Sequence, residues 1–254
     1  MKKIILLIMA FLVMVYCYFG GFTTGDYVDG VEFKDEIAIP ADKRIIALGE
    51  ATHGNKEFQE LKLSIFKKLV EENGVRAFAI EGDFGGCLEV NDYIHGGSGS
   101  TLEAVKKIGF KIYQTKEMIN LIDYMRDYNM SHLDDDIRFY GFDMQRTEYL
   151  DKEYLDEDIN LYLKEIKRQN KEVDNSLLRD KYMAQNIEWI LEREDKVFVC
   201  AHNEHVAKWG SYDSMGKLLS LKEENGYYVI GTDFYKSKCN LPFMGKRIVR
   251  TFYS

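Results

Sequence analysis

Short, largely apolar runs recur at 44–48, 76–80, 137–142, 197–201 and 227–230, and polar or ionisable residues follow each of them. Runs that are apolar at nearly every position suit strands buried on both faces, the condition of a parallel sheet. The segments between them carry a helical period. Residues 56–73 place Phe58, Leu61, Ile65, Leu69 and Val70 on one face. Helices are also expected over 84–94, 115–128, 177–194 and 215–224, with Met183, Ile187, Ile190 and Leu191 facing inward in the third of these. Thr101 is the expected N-cap of a short helix after the loop Gly96-Gly97-Ser98-Gly99-Ser100. The charged stretch 149–171 reads as an exposed helical segment, and 247–253 as a last strand. This alternation predicts an α/β fold: a mostly parallel central sheet with helices on both faces. In such sheets the ligand site lies beyond the carboxyl ends of the strands.

The ionisable residues gather at that edge. Glu50 and His53 follow the first strand, Glu81 the second, Asp143 the third, His202 and His205 the fourth, and Asp233 the fifth. Carboxylates and imidazoles are costly to bury singly and titrate usefully when partly buried together. Their pattern points to one polar cleft and to an enzyme. A neutral imidazole can take a proton from water as that water attacks a carbonyl. Carboxylates beside it fix its tautomer and stabilise the imidazolium. A second histidine can donate to the developing oxyanion or to the leaving alkoxide, and His202, nearest its strand, is favoured over His205.

Two other functions fit the same residues. The glutamates and histidines could hold zinc or manganese in a metal-dependent hydrolase, although Glu-x-x-His is not the paired-histidine zinc helix. A non-catalytic extracytoplasmic protein binding iron, haem or a metabolite is the third reading. The remaining polar residues have plainer roles. Asp143 can cap a following helix as readily as meet substrate, and Asp233 reads as structural. His95, His132 and the run Asp134-Asp135-Asp136 read as solvent-facing, and Cys200 as a small buried residue.

Composition narrows the partners. A net charge of −8 excludes a nucleic-acid footprint. Lys2 and Lys3 precede an apolar run from Ile4 to Phe19, so 1–24 is expected to be a signal peptide or membrane anchor. That places 25–254, as a single α/β domain, outside the cytoplasm, touching the membrane only through this segment. Beyond it Cys87, Cys200 and Cys239 are too few for a disulfide scaffold and lack metal-ligand spacing.

Four ordered blocks carry a family resemblance: Ala47-Leu48-Gly49-Glu50-Ala51-Thr52-His53-Gly54, Ala79-Ile80-Glu81-Gly82-Asp83, Tyr140-Gly141-Phe142-Asp143-Met144-Gln145 and Ala201-His202-Asn203-Glu204-His205-Val206. With Arg179-Asp180, Met183-Ala184-Gln185-Asn186 and Met215-Gly216, they resemble the erythromycin esterase family over residues 44–233. The resemblance implies hydrolysis of a carboxylic ester or lactone by water, without metal or cofactor; in named members the substrate is the macrolactone of a macrolide antibiotic, which confers resistance. It implies His53 as general base, Glu50 and Glu81 as its support, and His202 and His205 as the second histidine cluster. Lys62, Asp143 and Gln145 are expected at the substrate. Lys62 stands where the family has an arginine, keeping the charge without the bidentate fork. The segment 146–178 is shorter than the family's helical stretch there. A more open cleft is expected, less suited to a large macrolide.

Overall fold

The computed structural model describes residues 38–253 apart from 211, 235, 244 and 245, with the backbone alone over 236–253. The N-terminal segment 1–24 and its expected boundary lie outside the described residues. Ile39–Tyr253 forms one compact unit. Its elements run β1 (Ile45–Glu50), α1 (Lys56–Asn73), β2 (Ala77–Asp83), α2 (Phe84–Ile94), α3 (Thr101–Lys107), α4 (Lys116–Ser131), β3 (Arg138–Asp143), α5 (Glu157–Glu172), α6 (Ser176–Leu191), β4 (Val197–His202), α7 (Asn203–Val206), α8 (Met215–Glu223), β5 (Tyr227–Ile230), β6 (Lys236–Phe243) and β7 (Lys246–Tyr253). A single 3-10 turn, Lys111–Tyr113, precedes α4.

The first five strands form one sheet in the order β3-β2-β4-β1-β5, every pair parallel. From β1 the chain winds through β2 to β3 on one side; from β4 it returns to β5 on the other. Winding direction therefore reverses at β4, between β2 and β1, and such a switch opens a crevice at the carboxyl ends.

The strand period of two divides the core. On one face Phe66 of α1 packs against Phe78 of β2 and Phe198 of β4, with ring centroids 5.2 and 6.0 Å apart. On the other, Ile45, Ala47, Ala77, Ala79, Val197 and Val199 meet Leu163 and Ile166 of α5, Ile187 and Ile190 of α6, and Leu219 of α8. Helices thus cover both faces, as the continuous apolar runs require. Each fully buried side chain of this size contributes about 1.5–3 kcal/mol.

Two local expectations are corrected and a third, the last strand, is met and extended. The N-cap of α3 is Ser100, whose hydroxyl accepts from Glu103 N while Glu103 returns the bond to Ser100 N. A capping box needs its acid three residues on, and Ser100 has it. Thr101 instead donates to Asp123. The charged stretch 149–171 resolves into α5, capped by Asp156 and amphipathic, with Leu163, Ile166 and Gln169 buried. Its charge had masked an inward stripe at helical spacing. The terminal strand β7 pairs antiparallel with β6 in a two-stranded sheet of its own. A short connection can close an antiparallel pair, whereas a parallel addition needs a crossover. Among the described residues no helix is long and apolar enough to cross a membrane.

Candidate active site

Strands β1, β2, β3 and β4 run on through the polar residues expected just beyond them. Glu50, Asp143 and His202 are their strands' last residues, and Glu81 lies two before the end of β2. Glu50 and His202 are register partners across β1 and β4. Ladder hydrogen bonds therefore fix the backbone of the site.

Glu50 turns toward α1. Its Oε1 accepts from Lys62 Nζ at 2.6 Å and its Oε2 from Gln59 Nε2 at 2.7 Å, while Lys62 Nζ also donates to Gln59 Oε1 at 3.0 Å. Gln59 and Lys62 are three apart on one helix, so both reach the same carboxylate. Lys62 is 0% exposed and Glu50 1%. Lys62 was expected at the substrate; it is instead enclosed as the counter-ion of Glu50. Tyr113 lies under the pair, its ring centroid 5.1 Å from Lys62 Nζ. The Tyr113 hydroxyl is buried with no hydrogen-bond partner among the described residues. Burial, with Glu81 and Glu50 adding, pushes its pKa well above the ordinary tyrosine value.

Glu81 is held from the opposite face by α6. Arg179 Nη2 donates to Glu81 Oε1 and to Asp143 Oδ2, both at 2.7 Å. Glu81 Oε2 accepts the backbone N–H of His202 at 3.2 Å. Burial alone would raise the Glu81 carboxyl, but the charges of His205 and Arg179 outweigh it and hold it below its usual range. For Asp143 burial outweighs Arg179, and its pKa rises. Asp143 is fully buried, and its Oδ1 accepts from Gln145 N at 3.1 Å. No helix follows it directly. It serves Arg179 rather than a cap, and its burial keeps it from direct contact with a ligand. The Gln145 side chain is exposed.

His53 sits in the turn after β1, where Gly54 takes φ 79°, a conformation glycine adopts without strain. Its ring centroid is 5.3 Å from that of His202. Burial lowers its pKa below the ordinary 6.5 despite the opposing pull of Glu50 and Glu81. Its Nδ1 is buried without a hydrogen-bond partner among the described residues. His202 Nδ1 accepts from Glu204 N at 3.4 Å, which leaves Nε2 to bear the proton. His205 stands on the Arg179 side, its Nδ1 2.9 Å from Asp180 Oδ1 and its Nε2 3.5 Å from Glu81 Oε1.

The loops behind these residues are tied together. Thr232 Oγ1 donates to Gly49 O at 2.7 Å and accepts from Ala51 N at 3.1 Å, and Asn203 Nδ2 donates to Thr232 O at 2.7 Å. A Cβ on Gly49 would stand 2.2 Å from Asn203 Oδ1. Gly49→Ala is expected to cost about 1–3 kcal/mol, read as a lower urea midpoint; an unchanged midpoint would show that Asn203 has room to move. Asp233 is exposed and accepts from its neighbour Phe234 N at 2.7 Å.

Of the expected residues, Glu50, His53, Glu81, His202 and His205 meet at one edge, with Asp143 behind them. Arg179, Asp180, Gln59 and Tyr113 are part of the same cluster and were not expected there. The Arg179-Asp180 pair at the start of a helix was the available signal; nothing singled out Gln59 or Tyr113. His95 pairs with Asp136, Nε2 to Oδ2 2.9 Å, and His132 stacks on Tyr128. Among the described residues no three His, Cys, Asp or Glu side chains gather as a metal-ligand set. The cation between Glu81 and Asp143 is the Arg179 guanidinium.

Comparison with known proteins agrees with this frame. The model of the erythromycin esterase family matches residues 70–170 and 156–242, a stretch that begins after His53 and contains Glu81, Arg179, Asp180, His202 and His205. The chain is 30% identical over 116 residues to erythromycin esterase type II of Escherichia coli, covering 46% of this chain and 27% of that protein. It is 31% identical over 104 residues to the YbfO protein of Bacillus subtilis (strain 168), covering 41% and 22%. These matches span about a quarter of the length of either relative. Among solved structures, a succinoglycan biosynthesis protein is similar with a TM-score of 0.70 and 23% identity, covering 83% of this chain and 71% of that one. A mutant of the erythromycin esterase EreC in its open conformation is similar with a TM-score of 0.64 and 14% identity, covering 84% and 77%. At these identities the likeness is one of fold.

Proposed function

The chain belongs to the erythromycin esterase family, and from that premise we propose that it is a hydrolase that cleaves carboxylic esters or lactones with water, using His53 as general base. One observation supports the assignment: burial favours the neutral form of the His53 imidazole beside two carboxylates, at the crevice where the sheet reverses its winding. A neutral imidazole can accept a proton; an imidazolium cannot. In this reading His53 Nε2 takes a proton from water as its oxygen attacks the carbonyl carbon. Glu50 and Glu81 stabilise the imidazolium that forms, and His202 Nε2–H donates to the oxyanion. Each glutamate is braced by a cation from its own face of the sheet, Lys62 or Arg179.

Lys62 and Asp143 act in this scheme through the carboxylates they hold or share, and Gln145 stays available to a ligand. The short segment between β3 and α6 favours substrates smaller than a macrolide. The reading is tested on a panel of aryl esters, aliphatic lactones and a macrolide, each assayed with and without chelator. Turnover that survives chelation is expected, and turnover abolished by chelation would replace this mechanism with a metal-dependent one. The pH profile is a second check. The acid limb of kcat/KM reports the free base, so it is expected below pH 6.5, the ordinary imidazole value, because the shift of His53 is downward. An acid limb above that value would remove His53 from the role.

A further inference from the structure

Asp180 is a completely buried carboxylate with each oxygen committed differently. Its Oδ2 accepts the backbone N–H of Met215 at 2.9 Å, at the start of α8. Its Oδ1 lies 2.9 Å from His205 Nδ1. Bonding to the main chain would explain one oxygen; the other is turned toward an imidazole whose far nitrogen meets Glu81 and Arg179. His205 Nε2 lies 3.5 Å from Glu81 Oε1 and 3.3 Å from Arg179 Nη1. We propose that Asp180 is a positioning residue that accepts His205 Nδ1–H and so favours the imidazolium, whose second proton, on Nε2 beside Glu81, is the one given to the leaving alkoxide while His53 serves the attacking water. This rests on the hydrolase reading above.

The groups facing His205 are Asp180 and Arg179 from α6 and Glu81 from β2, with Asp143 of β3 across Arg179 and Tyr212 near Asp180. Burial pulls the His205 pKa down, but Asp180 and Glu81 outweigh it and the net shift is upward. His53 shifts the opposite way, and such divergence separates an acid from a base. The protons balance. Water gives one to His53 as its oxygen bonds to the carbonyl carbon. The tetrahedral intermediate then breaks its bond to the alkoxide, which takes the His205 proton. Through solvent His53 releases a proton and His205 regains one, and the new carboxylic acid ionises.

The test is Asp180→Asn in the full chain. The amide keeps an oxygen for Met215 N–H but turns an N–H toward His205 Nδ1, so the imidazolium loses the acceptor for its Nδ1 proton. The His205 ring is titrated by NMR without substrate, its resonance assigned by its absence from His205→Gln. In the unsubstituted protein it is expected to titrate above 6.5; a value at or below 6.5 overturns the proposal without any variant. Asp180→Asn is expected to lower that value and to move the alkaline limb of kcat/KM to lower pH, with kcat reduced about 10²-fold or more. A His205 titration unchanged by the substitution overturns it too, as does a kcat loss with neither limb moved, which is what a merely structural role predicts. If the titration moves but the protein hydrolyses no ester, the positioning stands and the acid role falls with the hydrolase reading.

Discussion

His53→Ala is expected to lower kcat/KM on every ester substrate by about 10²–10⁴-fold, the usual worth of a positioned general base. Its pKa is lowered by burial. The glutamates are not substitutes. Glu50 is closed off by Lys62 and Gln59, and Glu81 is bonded to Arg179 and the His202 amide. The loss should fall on kcat, since the base acts in the transition state. Urea unfolding should change little, because the His53 ring makes no hydrogen bond through its buried Nδ1. Turnover retained within a few-fold of the parent would transfer the role to another residue.

The second large effect is on stability. Lys62→Met leaves the Glu50 carboxylate buried with Gln59 as its remaining side-chain donor, and breaking a buried ion pair from one side costs about 3–5 kcal/mol. Glu50→Gln in the same chain removes the stranded charge. The double variant should therefore recover much of the loss, since neutral pairs of similar size often replace buried ion pairs at little cost. Its activity should stay low, because the carboxylate beside His53 is gone. Urea midpoints and slopes measured on both singles and the double give the coupling. A Lys62→Met protein within 1 kcal/mol of the parent would mean that water reaches Glu50 after all.

Much of the frame was legible in the chain. The continuous apolar runs gave five strands of one parallel sheet, because strands covered on both faces have no solvent side to alternate with. The same runs, cut off by Glu50, Glu81, Asp143 and His202, placed the site at one edge. Local details were less legible. Thr101 and Ser100 are both good capping residues, and only the reach of Glu103 decides between them. Helix α5 hid its three buried positions among charges.

The chemistry of Lys62, Arg179 and Asp180 was set elsewhere. From residue types alone Lys62 reads as a cation for the substrate, since exposed and buried lysines look the same in a sequence. Arg179 lies 98 residues from Glu81 and 36 from Asp143, yet bonds both. Asp180 meets the Met215 amide 35 residues away. Local pattern thus determined the strands, the helices and the kinds of side chain at the edge, because periodicity and burial act over a few residues. Which carboxylate faces which cation, and which histidine is shifted toward its neutral form, was decided only by tertiary packing: opposite faces of the sheet bring α1 to Glu50 and α6 to Glu81, and electrostatic pairing depends on distance in space rather than along the chain.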